Sequence, residues 1–322
     1  MRLDTAMTLL RGIEHSRNNR FLEAIADYDA VLASEPDNNY ARWNRATALL
    51  SLGAYAEGFA QHEVAWRLFH WRGFGPVRED INRLRAALPL WQGETGPLLL
   101  YHELGFGDAI MALRFLPELL RRCAAITLVI DPALVRLAQR FEIEVVPRVP
   151  DDLTAFDARL PLFSVMTALD QTLDTIPNAP YLTVPWRFGG GRIGLAWSGR
   201  TQTEFSLEQF CGGLEHQGFS LHSLQPGATN DQVQALPDGD FADLQQRIAE
   251  MDHVVTVDTA CAHLAGAMGH PSAHLLLPHL MDWRWWHAKN WYPTLQTYRQ
   301  TTAQNWSAPF ARLNETLNVA KR

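Results

Sequence analysis

The chain has 322 residues, of which 47% are hydrophobic and 20% charged, and its formal net charge is −7. That length is enough for two or three folded units around a sizeable core, and the composition is that of an ordinary globular protein. The acidic balance leaves no electrostatic footprint for nucleic acid or an anionic membrane.

The N-terminus carries Asp4 early and has no long apolar core, and no run approaches the roughly 20 apolar residues that span a bilayer, so neither a signal peptide nor a membrane span is expected. Three widely spaced cysteines (Cys123, Cys211, Cys261) form no CxxC pair. They read as small packing residues of a reducing compartment, and a cytoplasmic location follows as the expectation.

Residues 1–70 contain an internal repeat. A shift of 34 superimposes Gly12 on Ala46, Phe21 on Tyr55, Glu23 on Glu57 and Ala24 on Gly58. The Asn19–Ala24 segment then falls on Gly53–Gly58, where two helices would turn, and Pro36-Asp37 closes the first copy. This period and its small–aromatic–small positions resemble the tetratricopeptide repeat, an antiparallel helix pair that buries its apolar face against neighbours. The second copy has His62 where the first has Tyr28, and a plain pair of helical hairpins is the alternative. Two repeats make a short array, so the unit is expected to pack on the next domain.

Residues 71–96 read as a connector, punctuated by Gly73, Gly75, Pro76, Pro89, Gly93 and Gly96 around an amphipathic stretch, Val77–Leu88. An α/β unit is expected over residues 97–188. Pro97–His102 is a strand, and Gly105 and Gly107 flank a turn with Asp108 placed to cap a helix that Pro117 should kink or restart. Ala125–Asp131 and Glu142–Val146 are further strands with a helix from Pro132 between them, and a looser region runs on to Pro185.

A second α/β unit is expected over residues 189–300, after the glycine hinge Phe188–Gly191. Its strands are Arg192–Ser198, Phe219–Leu224, the uncharged run Val254–Val257 and Ser272–Pro278; helices start near Ser206 and Asp240. After Val257, Asp258 and Thr259 offer side-chain oxygens at a helix start, and Ala260, Ala262, Ala265, Gly266 and Ala267 let that helix lie close to its sheet. A strand that feeds a tight turn and a helix N-terminus seats an anion, because free N–H groups and the positive end of the helix dipole point at it. A capped helix of any α/β domain is the alternative. Residues 301–322 are expected to form a closing helix, with Ser307 as its cap, Pro309 in its first turn and Phe310, Leu313 and Leu317 on its apolar side.

Three motifs occur in order: Leu98–Ile110, Ile193–Gly199 and Val254–Pro271, followed by Asp282–Trp285 and Trp291–Pro293. With the repeats, they resemble bacterial tetratricopeptide-repeat proteins whose C-terminal half is similar to GT-B glycosyltransferases, particularly the family 9 heptosyltransferases and the O-GlcNAc-transferase-like group. The resemblance implies an α/β fold class: a GT-B-like pair of Rossmann-type domains preceded by an all-α tetratricopeptide-repeat unit. It also implies a nucleotide-sugar donor in the cleft between the two units, no metal and no further cofactor, and inversion at the anomeric carbon.

Position by position, Asp258, Thr259, Ala260, Cys261 and His263 match the family's phosphate-binding turn, where the N–H groups of Ala260 and Cys261 would do most of the work. Ser198, Gly199 and Arg200 match the other donor-side loop, and Arg200 could neutralise the departing diphosphate. The chain departs from relatives there: Thr201–Ser206 replaces several basic residues, and Glu204 opposes Arg200. Asp108 matches the position of a general base. A helix cap without chemistry is its alternative, since a helix N-terminus weakens a base. Gly105, Gly107, His102 and Trp283 are the expected substrate-side contacts, with His102 and Glu103 in reserve for proton removal. Eleven tryptophans, four of them between Trp283 and Trp291, suit sugar or base stacking, or core packing.

Other chemistries fit less well. Asp238-Gly-Asp240 has the DxD spacing of metal-dependent glycosyltransferases, but Pro237 and Gly239 make it a turn. The twelve histidines show no HExxH spacing. Gly189–Gly191 precedes a strand instead of following one, and Ser198 lacks the GxSxG frame. The resemblance implies transfer of a sugar from a nucleotide-sugar to an acceptor such as a protein or peptide held by the repeats. A non-catalytic binding or scaffolding protein of the same fold is the rival.

Overall fold

The computed structural model describes residues 3–64, 77–199, 205–227 and 230–319. Four antiparallel helices open the chain: α1 (Leu3–Arg17), α2 (Phe21–Ser34), α3 (Asn39–Ser51) and α4 (Tyr55–His62). The repeat positions show why small residues recur. A Cβ on Gly12 would sit 2.6 Å from the Tyr28 ring, and one on Gly58 would sit 2.7 Å from Leu50. Each helix pair can therefore close only where one partner lacks a side chain. Asn38 caps α3 by accepting from the Ala41 amide at 3.0 Å.

This unit packs on the rest of the protein, and it does so through the tryptophan-rich segment. That segment folds as two short helices, α11 (Trp283–Trp286) and α12 (Ala288–Trp291). Trp291 donates its indole N–H to the Tyr55 hydroxyl at 2.8 Å. Trp286 lies edge-on to Phe21 at 5.2 Å, and Asn19 donates to the His279 carbonyl at 3.2 Å. Gly53, with φ +83°, turns the chain tightly beneath His287.

Residues 81–87 of the expected connector form α5 (Ile81–Ala87). Val77, Ile81, Leu84 and Leu88 pack there on Leu99, Tyr101 and Val129, so this stretch covers one face of the first sheet. That sheet is parallel throughout, in the order β3-β2-β1-β4. Its strands are β1 (Leu98–Tyr101), β2 (Ile126–Val129), β3 (Glu144–Val146) and β4 (Ala158–Pro161), with α6 (Phe106–Ala112) and α7 (Leu116–Arg122) between β1 and β2. Pro117 stands in the first turn of α7, where a missing N–H costs nothing.

The second sheet is also parallel, in the order β10-β9-β8-β5-β6-β7. It comprises β5 (Arg192–Ala196), β6 (Ser220–Ser223), β7 (Val233–Gln234), β8 (His253–Thr256), β9 (Ala273–Leu277) and β10 (Gln296–Arg299). Helices α8 (Leu207–Gly213), α9 (Phe241–Ile248) and α10 (Ala260–Met268) alternate with them, and α13 (Ser307–Val319) closes the chain. Counted from β5, this is the doubly wound order of a dinucleotide-binding fold, and the first sheet repeats the order of its first four strands.

Phe310, Leu313 and Leu317 of α13 bury against Ile193, Leu195 and Phe210, as their spacing predicts. Ser307 is the first helical residue, and Asn305 accepts from its amide. The glycine segment before β5 is pinned by Asp252, which accepts from the Gly189 and Arg192 amides at 2.6 and 2.8 Å. Asp252 thus serves the end of the sheet away from the cleft. Asp240 caps α9, and both Asp240 and Asp243 pair with Arg136 across the two α/β units at 3.0 and 2.8 Å. The DxD-like spacing is a capped turn used as an interdomain clamp.

Candidate active site

In a doubly wound sheet, neighbouring connections run to opposite faces at the point where strand order reverses, and a crevice opens beyond the carboxyl ends there. The first sheet reverses between β1 and β4, the second between β5 and β8. The loops leaving β1, β5 and β8 line a common cavity of about 480 Å³, within the usual range for a small-molecule site. Gly105, Phe106, Gly107 and Asp108 line it from the first unit, facing Ser198, Gly199, Asp258, Thr259 and Ala260 from the second.

The donor-side corner is built on backbone. Thr259 is the N-cap of α10, yet its hydroxyl bonds that of Thr256 at 3.0 Å and does not cap the helix. The first backbone bonds in α10 run from Ala262 and His263 to the Thr259 carbonyl. The amides of Ala260 and Cys261, one and two positions earlier, have no acceptor among the described residues and remain available to an anion. Gly199 is obligatory at this corner: a Cβ there would stand 2.6 Å from the Asp258 carbonyl oxygen. Gln225 holds the same loop, accepting from the Trp197 and Ser198 amides at 2.8 and 3.1 Å and donating to Ser198 Oγ at 2.9 Å. Arg200 lies outside the described residues.

The cation in the described cavity is Arg284. It donates to Asp282 at 2.7 Å and closes an ion pair with Asp108, joining the two α/β units across the cleft. Its guanidinium lies 4.6 Å from the Trp283 ring centre. Burial works against its charge, but Asp108 and Asp282 outweigh burial and raise its pKa further. The second oxygen of Asp108 accepts from the Gly105 amide at 3.1 Å, which caps α6. Asp108 therefore combines the two roles its position suggests, as helix cap and as a carboxylate facing the cavity.

Asp258 is the unusual acid. Burial, then the neighbouring Asp282, push its pKa from 3.8 up to about 7; Trp285 and Arg284 act against the shift and Asp108 adds to it. Asp131, which caps the short helical turn after β2, also lines the cavity.

Several expected contacts are placed differently. His263 touches the cavity wall, but it is 4% exposed, with Nδ1 bonded to the Tyr292 hydroxyl at 2.8 Å and its ring against Trp285 at 4.7 Å. Burial, then Arg284 and Arg114, hold its pKa well below the usual imidazole range, so it is a neutral group. Its other role is steric, because a Cβ on Gly107 would meet His263 Cδ2 at 2.6 Å, so that glycine lets α6 and α10 approach.

The Cys261 side chain is buried behind the corner, its thiol pushed up to about 12 by burial, so only its backbone can serve an anion. His102 is behind its loop, with Nε2 3.3 Å from the Gly105 carbonyl, and braces the loop without lining the cavity. Glu103 is fully enclosed and accepts from the Leu162 and Phe163 amides at 3.0 and 2.9 Å. Burial raises its pKa well above the ordinary value, and it ties the β1 and β4 ends together. Trp283 is 3% exposed, wedged among Tyr55, Phe59, Phe163 and Trp291, so it supports Arg284 and presents no face to a sugar.

Repeat helices followed by two facing parallel sheets, with a cavity between their switch points, define a GT-B-like α/β architecture carrying a tetratricopeptide unit. Comparison with known families agrees: the tetratricopeptide-repeat model matches residues 9–63, and the glycosyltransferase family 9 (heptosyltransferase) model matches residues 209–283. The chain therefore carries a tetratricopeptide-repeat segment and a segment similar to glycosyltransferase family 9. Among solved structures it is similar to the dodecameric iron-containing heptosyltransferase TibC in complex with ADP-D-beta-D-heptose, at 13% identity and a TM-score of 0.44. That match covers 68% of this chain and 66% of the TibC chain, so it spans about two thirds of that protein's length. A mutant of Thermobaculum terrenum O-GlcNAc transferase is similar at 13% identity and a TM-score of 0.34, over 99% of this chain and 94% of its own. No curated protein matches the chain. No helix among the described residues is long and apolar enough to cross a membrane, and no group of three or more His, Cys, Asp or Glu there could hold a metal ion.

Proposed function

We propose that the protein transfers a sugar from a nucleotide-sugar to an acceptor hydroxyl in this cavity, with inversion and with protein groups instead of a metal compensating the leaving charge. The observation that carries the reading is the convergence of both switch-point loops on one cavity, with the Ala260 and Cys261 amides at its donor corner. The acceptor oxygen attacks the anomeric carbon as the bond from that carbon to the phosphate oxygen breaks. The electron pair leaves with the nucleoside diphosphate, against the two amides and Arg284. The acceptor proton passes to Asp108.

Arg284 links these events. It pairs with Asp108; turning toward a diphosphate, it would release that carboxylate as the base becomes needed. The repeats would present a protein or peptide acceptor, and the compartment would be the cytoplasm.

A binding protein without turnover is the second reading, and one observation favours it. The described lining sets four carboxylates (Asp108, Asp131, Asp258, Asp282) against one arginine, a poor balance for a diphosphate. Thermal-shift titration with nucleoside diphosphates and their sugars, with and without EDTA, separates the readings. Stabilisation by one nucleotide, release of its diphosphate with a cell extract and loss of that release in Asp108→Ala are expected for the transferase. Failure of every nucleotide to stabilise the protein would refute it, and nucleotide binding without release would favour the second reading.

A further inference from the structure

A second cavity lies outside the cleft, at the carboxyl end of the edge strand β10, and its chemistry is opposite to that of the first. It measures about 420 Å³ and is lined by His279, Thr297, Arg299, Gln300, Thr301 and Arg312. Neither arginine pairs with a carboxylate among the described residues.

Arg299 lies flat on Trp286 with its guanidinium 4.1 Å from the ring centre. It donates through Nη2 to the His279 carbonyl at 2.6 Å, and its Nε is buried without a partner. Burial alone lowers its pKa, as expected for a cation that no acid supports. Arg312 reaches across from α13 and donates to the Arg299 carbonyl at 3.1 Å.

Gln300, which is buried, and His279, which is half-buried, each add a buried polar atom without a partner. Gln300 is 2% exposed, and its Oε1 accepts from the His279 backbone amide at 3.0 Å. The other end of that amide is therefore the NH2 group, and it has no partner. Asn19 Nδ2 donates to the His279 carbonyl and also lies 3.2 Å from His279 Nε2. The other ring nitrogen, His279 Nδ1, is buried and unpartnered. A buried polar atom left without a partner is costly, and Arg299, Gln300 and His279, which each carry one, line this cavity together with Arg312.

We propose that this corner is an oxyanion site of the phosphate class. Its lining side chains come from three separate elements (the loop after β9, β10 with its end, and α13) and include two guanidinium groups and two threonine hydroxyls, which suits a group with several acceptor oxygens. A bound phosphoryl group would join α13 to the shelf formed by Trp286 and to His279, the residue on which Asn19 of the repeat unit rests. The site is independent of the transfer reading.

The test is calorimetric titration of the full chain with inorganic phosphate at constant ionic strength set by chloride. Arg312 is exposed and remote from the cleft, so Arg312→Ala reports this corner alone. The proposal expects phosphate affinity to fall at least about tenfold in Arg312→Ala, and to be lost in Arg299→Met, which keeps the apolar contact with Trp286. Should the second variant fold poorly, the first still decides. Phosphoserine and a hexose phosphate titrated alongside identify the carrier if either binds more tightly than the free ion, and equal binding identifies the free ion. Equal phosphate affinity in wild type and Arg312→Ala, or no binding beyond the chloride control, overturns the assignment.

Discussion

Asp258 offers the sharpest quantitative test of the cavity, because its ionisation is coupled both to folding and to any anionic ligand. In the native protein its pKa is raised from 3.8 to about 7, whereas the unfolded chain keeps the lower value. Between those two pH values the native state holds a proton that the unfolded state has already lost, so stability falls as pH rises through the interval and is constant above it. Each unit is worth about 1.4 kcal/mol, which bounds the penalty near 4 kcal/mol. One side of the carboxylate faces the open cavity, and solvent screening there reduces the figure to about 2 kcal/mol.

Asp258→Asn keeps the shape and removes the charge. Urea denaturation should find the variant more stable than wild type by about 2 kcal/mol near pH 8, with the difference shrinking toward zero near pH 4. A diphosphate in the cavity would raise the Asp258 pKa further, so wild-type nucleotide affinity should fall as pH climbs past 7 while that of the variant stays flat. A stability difference that is independent of pH, or a variant less stable at pH 8 than at pH 4 relative to wild type, would refute the electrostatic account of this corner.

Two further outcomes follow from packing and charge. In Gly199→Ala the new Cβ meets a backbone oxygen that cannot rotate away. A loss of about 1–3 kcal/mol is expected, together with weaker nucleotide binding, and an unchanged melting temperature would show that the two loops are not locked. Arg284→Met leaves Asp108 and Asp282 without their shared cation, and about 3 kcal/mol should be lost at neutral pH. Most of it should return in the double variant with Asp108→Asn, and additive losses in that cycle would mean that the ion pair is not the cause.

Much of this architecture is legible in the chain because parallel strands buried on both faces leave uncharged runs such as Leu98–Leu100 and Val254–Val257. The turns that follow them must be small where two loops approach, which marks Gly107, Gly199 and Ala260. Strand β4 is harder to read: it carries Arg159 and ends in Pro161, both tolerable only because it lies at the sheet edge, where Arg159 meets the Pro89–Trp91 segment. The charges of the site are the least legible part. Asp108 and Arg284 are 176 positions apart, and no local pattern announces their pairing. Gln225 and Asp131 sit in ordinary strand-end turns, and their roles appear only once the neighbouring loop is in place. Trp283 and His263 have residue types suited to ligand contact, yet the aromatic mass around them buries Trp283 wholly and leaves His263 only an edge at the cavity wall.

That aromatic mass also explains why the helical unit belongs to the site. Short as it is, the repeat array has an inner face that needs covering, and α11 and α12 supply the cover: Tyr55 against Trp283 and Trp291, and Phe21 against Trp286. The same four-residue helix that carries Trp283 and Trp286 carries Arg284 between them, pointed the other way into the cleft. His62, the residue that breaks the repeat pattern at the Tyr28 position, has its pKa pushed down to about 4 by burial and by the charge of Arg284. It stays neutral beside Phe163 and so adds no second cation beside Arg284. The repeat unit is thus the floor on which the cleft arginine stands.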